Sequence, residues 1–270
     1  MKKKIFIAGA TGWAGSALSK GVFQQDNMEL VGGLSSRKKG ENLAKVLELD
    51  SNVEIPLYGD IGEATEKLEI DVMVEFTKPD IAKHNIITAL KRKINVVIGT
   101  SGLTNEDYEE IEKVANDNNV SVLAVGNFAI TVVLLQKFSE IAAKFIPNYE
   151  IIDYTHEDKI DAPSGTAREL AYRLSMVQES IQHITDDEFR GIKESRGARI
   201  DGVQVHSVRL PGHVISIESI FGLKDEKLSI RHDSGASAIP YVQGGIMAIE
   251  KADSFKGLKR GLDSIMDFRI

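Results

Sequence analysis

A trio of glycines near the amino terminus constrains the fold more than any other feature of the chain. The segment Gly9-Ala10-Thr11-Gly12-Trp13-Ala14-Gly15 follows a short apolar run, Ile5-Phe6-Ile7-Ala8, and leads into a helix-length stretch from Ser16 to Gln24. A strand that turns sharply into a helix, admits a pyrophosphate against its backbone and aims free N–H groups at it needs residues without a Cβ. Glycine spacing alone is a weak signal; the strand–turn–helix setting gives it weight. The competing reading is a tight turn that binds nothing.

From Lys4 to Ala124, short β-branched runs (Ile5 to Ala8, Leu30-Val31, Val72 to Glu75, Val96 to Ile98, Val120 to Leu123) alternate with helix-length polar–apolar stretches. Continuous apolar strands spaced this way predict a parallel sheet with helices on both faces. After Phe128 the pattern changes. It predicts a helix at about 130–145, a strand at about 149–155, a helix opening near Pro163-Ser164, a polar stretch at 178–204 and three strands from Val205 to His232. This reads as an α+β lobe. A helix at about 240–251 and a tail to Ile270 would pack back on the first lobe, so the expected division is 1–126, 127–239 and 240–270.

The chain has 270 residues, enough for two lobes, and a net charge of −7 that argues against nucleic acid as partner. No apolar stretch reaches the ~20 residues of a membrane span, and the opening Met1-Lys2-Lys3-Lys4 leads into a strand rather than a signal peptide. There is no cysteine, which fits a reducing, cytoplasmic setting and excludes thiolate chemistry. No histidine or carboxylate spacing suggests a metal site. Redox chemistry would therefore come from a bound cofactor.

At the end of the second strand, a carboxylate would favour NAD by accepting from the ribose 2′-hydroxyl. The sequence there reads Leu34-Ser35-Ser36-Arg37-Lys38-Lys39. Hydroxyls and three cations suit a 2′-phosphate, so NADPH is expected as the preferred cofactor, with NADH as the alternative. The densest chemistry lies in Glu150 to Ala167. A strand ends in a turn rich in ionisable groups, and a helix starts at Pro163-Ser164-Gly165-Thr166, with Thr166 and Glu169 spaced as a capping box. Free N–H groups of Gly165 and Thr166, the Ser164 hydroxyl, Lys159 and His156 could together hold a substrate carboxylate.

From end to end the chain resembles the dihydrodipicolinate reductase family. The resemblance is carried by the glycine loop, Glu75-Phe-Thr-Lys-Pro79, Ile98-Gly-Thr-Ser-Gly102, Asn127-Phe128, Lys159-Ile-Asp-Ala-Pro-Ser-Gly-Thr-Ala167 and His206-Ser-Val-Arg-Leu-Pro-Gly212. It implies a Rossmann-type, doubly wound α/β domain with an inserted α+β substrate and oligomerisation domain, assembly as a homotetramer, and hydride transfer from NADPH or NADH to a cyclic dicarboxylate. By position it implies that Gly9, Ala10, Thr11, Gly12, Trp13 and Ala14 bind cofactor, with Ser35 and Ser36 near the adenosine ribose; Arg37 beside them is a cofactor candidate by its own charge and bidentate geometry. Phe76, Thr77, Gly99, Thr100 and Ser101 would lie near the nicotinamide, with Gly126, Asn127 and Phe128 closing over it. His156, Lys159, Ser164, Gly165 and Thr166 take the substrate positions, and Lys159, Thr155 and His156 the catalytic ones.

The departures from the family pattern concern the same regions. The family's pair of adjacent histidines is here Thr155-His156, Trp13 stands where arginine is usual, and Ser234 to Pro240 replaces a stretch that usually contains asparagine and arginine. A hydroxyl donates a proton poorly near neutral pH, and adjacent strand residues face opposite ways, so His156 does not simply replace its neighbour. Three readings follow: a reductase of this family, a diverged oxidoreductase acting on another imine, keto or amino acid, and a silent nucleotide-binding protein.

Overall fold

The structure, a computed structural model, describes residues 1–50, 52–184 and 188–269. In chain order the elements are β1 (Lys3–Ala8), α1 (Trp13–Phe23), β2 (Met28–Leu34), α2 (Leu43–Val46), β3 (Leu57–Tyr58), α3 (Ile61–Lys67), β4 (Val72–Glu75), α4 (Pro79–Lys91), β5 (Asn95–Ile98), α5 (Asn105–Asn118) and β6 (Ser121–Ala124). There follow α6 (Ile130–Ala143), β7 (Tyr149–Thr155), α7 (Gly165–Ser175), β8 (Ala198–Ile200), β9 (Val203–Arg209), β10 (Ile215–Leu223), β11 (Glu226–Ser234), α8 (Ile239–Lys251) and β12 (Gly257–Arg260). Two compact units emerge, residues 1–130 with 238–270, and residues 131–237.

The first unit is a seven-stranded parallel sheet in the order β12-β6-β5-β4-β1-β2-β3. Its strands read as unbroken apolar runs because both faces are covered: every residue of β4 and of β6 is buried. Each fully buried valine, isoleucine or leucine adds about 1.5–3 kcal/mol. The order reverses between β1 and β4, which places a crevice beyond the carboxyl ends of those strands.

β2 is longer than Leu30-Val31. Gly32 and Gly33 interrupt the apolar pattern yet continue the strand, since a Cβ on Gly33 would come within 2.6 Å of Ala10 Cβ in the turn after β1. The tail beyond α8 adds β12 to the sheet edge, parallel to β6. Gly244 and Gly245 let α8 approach closely; added Cβ atoms would lie 2.0 Å from the Phe128 carbonyl and 2.7 Å from Leu18 of α1.

In the second unit a mixed sheet has the order β11-β10-β7-β9-β8, with β7 and β9 parallel and the other pairs antiparallel. Strand β7 alternates strictly. Tyr149, Ile151, Asp153 and Thr155 are buried, while Glu150, Ile152 and Tyr154 are partly exposed. The buried side joins Leu135 of α6 and Leu170 and Leu174 of α7 in one apolar core with Val205, Ile217 and Phe221. Of the polar stretch 178–204, residues 185–187 lie outside the described residues; the rest carries β8 and the start of β9.

Candidate active site

The glycine turn owes its shape to backbone approach. Gly9 has φ +83°, and a Cβ there would lie 2.7 Å from the Phe76 carbonyl oxygen; one on Gly15 would lie 2.1 Å from the Gly9 carbonyl oxygen. The N–H groups of Gly9 and Ala10 both donate to the Leu34 carbonyl, and that of Gly12 to the Gly9 carbonyl. Gly12 is the N-cap of α1 and has no side chain to cap it. The N–H groups of Trp13, Ala14 and Gly15 make no hydrogen bond among the described residues, so the positive end of the helix is left for an anion.

Around this turn the structure gathers other residues expected at the cofactor. The Thr11 and Ser35 hydroxyls are 2.8 Å apart, which fixes the end of β2 against the loop. Ser36 and Arg37 are exposed, and Arg37 has no ion-pair or hydrogen-bond partner among the described residues. Lys38 is paired with Glu41 at 3.2 Å. A cavity of about 750 Å³ beside them is lined by Ser36, Lys39, Gly40, Leu57 and Tyr58. Past β4 and β5, Phe76 packs edge-on to Phe128 with ring centroids 5.3 Å apart, and a Cβ on Gly99 would strike both rings. Tyr241 of α8 joins Phe128 at 6.2 Å and Trp13 at 5.4 Å. Ser101 and Gly126 lie exposed on the loops, and the Asn127 side chain accepts from the Ala129 N–H at 2.9 Å.

One residue here was missed by sequence reasoning. Glu75 ends β4 fully buried. Its Oε1 accepts from the Thr77 N–H at 2.6 Å and from the Thr77 hydroxyl, and its Oε2 accepts from the Asn85 amide at 2.9 Å. The Thr100 hydroxyl reaches the carbonyls of Glu75 and Thr77, each at 3.2 Å. Burial pushes the Glu75 carboxyl above its usual range, against the pull of these donors. The available signal was a carboxylate closing an otherwise apolar strand.

In the second unit, Ser164 rather than Thr166 caps α7, its hydroxyl accepting from the Ala167 N–H at 3.3 Å. The expected Thr166–Glu169 capping box is therefore corrected, because the helix already begins at Gly165 and Thr166 lies inside its first turn. The N–H groups of Gly165 and Thr166 make no hydrogen bond among the described residues and remain available to an anion. Buried Asp153 accepts from the Ser164 N–H and from Arg209, both at 2.8 Å, and Arg209 also donates to the Asp161 carbonyl at 2.7 Å. This clamp ties the turn after β7 to the start of α7.

On that turn, Lys159 Nζ lies 2.7 Å from Asp161 Oδ1, with the lysine side chain 29% exposed. The hydrogen bond from Lys159 holds the Asp161 carboxyl below its usual range. His156 is exposed. Thr155 is fully buried, across from Arg209 and Ile215 in register, and its hydroxyl donates to the His156 carbonyl at 3.4 Å. Among the other histidines, His206 pairs with Glu150 at 2.7 Å and buried His232 bonds Thr131 at 2.9 Å, both structural uses. No cluster able to hold a metal ion occurs among the described residues.

A doubly wound parallel sheet with a glycine turn and, among the described residues, unpaired helix N–H groups at its switch point has the form of a dinucleotide-binding domain, and the family whose models match it makes it that of an NAD(P)H-dependent oxidoreductase. Models of the dihydrodipicolinate reductase N-terminus and C-terminus match residues 3–128 and 131–267. The 4-hydroxy-tetrahydrodipicolinate reductase of Listeria innocua is 35% identical over 264 residues, covering 98% of this chain and 100% of the relative. That of Desulfitobacterium hafniense is 35% identical over 269 residues, covering 99% and 100%. The dipicolinate-bound dihydrodipicolinate reductase of Paenisporosarcina sp. TG-14 superimposes with a TM-score of 0.88 at 31% identity, over 98% of this chain and 100% of that one. An amine dehydrogenase from Mycobacterium smegmatis, 13% identical with a TM-score of 0.69 over 100% and 97% of the chains, shares the fold. The chain belongs to the dihydrodipicolinate reductase family.

Proposed function

We propose that the chain reduces 4-hydroxy-tetrahydrodipicolinate to tetrahydrodipicolinate, a step of lysine and diaminopimelate biosynthesis, with NADPH preferred over NADH. The observation that carries this reading is the start of α7, where two unpaired N–H groups and the Ser164 cap lie on the same turn system as Lys159. Such a set suits a carboxylate of a cyclic diacid. A dipicolinate-bound relative at TM-score 0.88 supports the same ligand class.

The residues of the first unit fit the cofactor, since Gly9 and Gly15 pack so closely on the Phe76 and Gly9 carbonyls that the turn tightens and leaves the N–H groups of Trp13, Ala14 and Gly15 without a partner among the described residues. A bound reduced nicotinamide supplies the hydride. Gly12 to Ala14 would hold the pyrophosphate, while Phe76, Gly99 and Phe128 would form an apolar wall that excludes water beside the nicotinamide. Loss of the ring 4-hydroxyl as water leaves a carbon conjugated with the imine to take the hydride; in the second unit Gly165 and Thr166 hold the acid, Ser164 and Asp153 keep the helix start in place, and Lys159 delivers the proton that balances hydride addition. Thr155 is buried and its hydroxyl is engaged with a carbonyl, so it is not the donor in this scheme; His156 faces solvent as a further substrate contact. The partly exposed sheet face with Ile152, Tyr154 and Ile220 supports assembly as a homotetramer, and a chain free of cysteine suits the cytoplasm.

The test is NADPH oxidation by purified protein with freshly generated intermediate. Turnover supports the reading, whereas cofactor binding without turnover overturns it. Thr155 in place of the family's histidine favours a second reading, a diverged oxidoreductase acting on another cyclic imine. If Thr155→His raises turnover on the family substrate, the first reading gains. Activity of the unmodified protein only on another imine favours the second.

Charge at the adenosine end yields a further expectation. Arg37 has no partner among the described residues whereas Lys38 is paired with Glu41, so Arg37→Ala should weaken NADPH binding by about tenfold and NADH binding little. Lys38→Ala should do less. Calorimetric titration with both cofactors checks this, and equal losses for the two would remove the argument for a 2′-phosphate contact.

A further inference from the structure

Glu75 is an expensive residue to keep where it is. It is fully buried, makes no ion pair among the described residues, and is held only by the neutral groups of Thr77, Asn85 and Thr100. Burying a carboxylate without a cation costs several kcal/mol before hydrogen bonds offset it. An apolar residue would complete Val72-Met73-Val74 at less cost. What the carboxylate adds is geometry. Oε1 draws in both the N–H and the hydroxyl of Thr77, closing a tight turn around Phe76. Oε2 anchors that turn to Asn85 on α4. Thr100 bonds both the Glu75 and Thr77 carbonyls, so the turn after β5 is tied to the turn after β4. Phe76 and Gly99, which meet ring to backbone, are carried on these two turns.

We propose that Glu75 is a positioning residue for the reduced nicotinamide, fixing the Phe76–Thr77 and Gly99–Thr100 turns as one rigid wall. This rests on the reading that those turns line the nicotinamide pocket. The carboxylate touches neither cofactor nor substrate; it acts through Thr77 and Thr100. A neutral amide of the same shape weakens this hold, because Gln offers the Thr77 and Thr100 donors an uncharged oxygen and keeps the Asn85 contact only if that amide turns over.

Two ligands that share the adenosine end but differ at the other end provide the test: NADPH and adenosine 2′,5′-bisphosphate, each titrated calorimetrically into the full-length protein. Glu75→Gln is expected to weaken NADPH by about tenfold and leave the bisphosphate unchanged. In steady state, KM for NADPH should rise more than KM for the acid substrate. Equal weakening of both ligands, or of neither, overturns the proposal. If Glu75→Gln fails to fold, Thr100→Val carries the same comparison, since it removes the hydroxyl bridge while keeping the side-chain volume. If unmodified protein binds neither ligand, it is the cofactor assignment that has failed, and this outcome differs from every result that bears on Glu75 alone.

Discussion

Replacing Lys159 by Met should lower kcat by about 10²–10⁴-fold while leaving NADPH affinity unchanged. Lys159 is the one lysine or arginine between β7 and α7, and its ammonium sits on Asp161 at 2.7 Å, within a turn held by Arg209. Methionine keeps the length and apolar stem of the side chain but has no proton to give and no charge for a carboxylate. The cofactor site proposed above belongs to the other compact unit, so its affinity offers an internal control. Steady-state rates with freshly generated intermediate, alongside calorimetric titration with NADPH, check both halves. A variant that keeps full turnover would remove Lys159 from the chemistry and leave solvent or His156 as proton source.

The second large effect is expected at Gly15. An alanine there places a methyl group 2.1 Å from the Gly9 carbonyl oxygen, 2.8 Å from the Gly9 carbonyl carbon and 3.2 Å from Ala10 Cα, all of them backbone atoms. No rotamer change can relieve such contacts. The turn must open, at about 1–3 kcal/mol for overpacking, and the N–H groups of Trp13 and Ala14 lose their common aim. Gly15→Ala should therefore abolish measurable binding of both NADPH and NADH, with a lowered melting temperature. Gly165→Ala, whose added methyl would come no nearer than 3.9 Å to Arg168, should leave cofactor affinity intact. Parallel titrations on the two variants separate a local effect from general damage.

Much of the architecture could be read in the sequence because its causes are local. Strands covered on both faces must be apolar throughout, so β1, β4, β5 and β6 stand out, and a turn crowded by backbone must be glycine. Gly32 and Gly33 defeated that logic: the same crowding that demands glycine in the turn demands it in the neighbouring strand, where it looks like an interruption. The family's motifs pointed to Phe76, Gly99 and Phe128, and the fold brings those three together. The burial and bonding of Glu75, though the residue opens one of those motifs, were hidden for a different reason. A carboxylate at a strand end normally reaches solvent, and only the landing positions of Asn85 and Thr100, set by tertiary packing, reveal that it does not. The Thr166–Glu169 spacing misled because Ser164, two residues earlier, satisfies the same helix end more simply. Likewise the Asp153–Arg209 clamp joins β7 to β9, and no spacing along the chain announces it.

The edge strand Gly257–Arg260 has a consequence for how the molecule is made. It pairs with β6, and α8 covers α1, so the unit that carries the glycine turn is assembled from segments on either side of residues 131–237. During synthesis the stretch from Thr131 to Ser237 leaves the ribosome whole and can fold as a unit, while the part translated first still lacks its outer strand and one covering helix. The lobe that carries the glycine turn is therefore completed only after the intervening one has been made, and loss of the segment from Ala238 to Arg260 would injure that earlier-started lobe rather than the one made between.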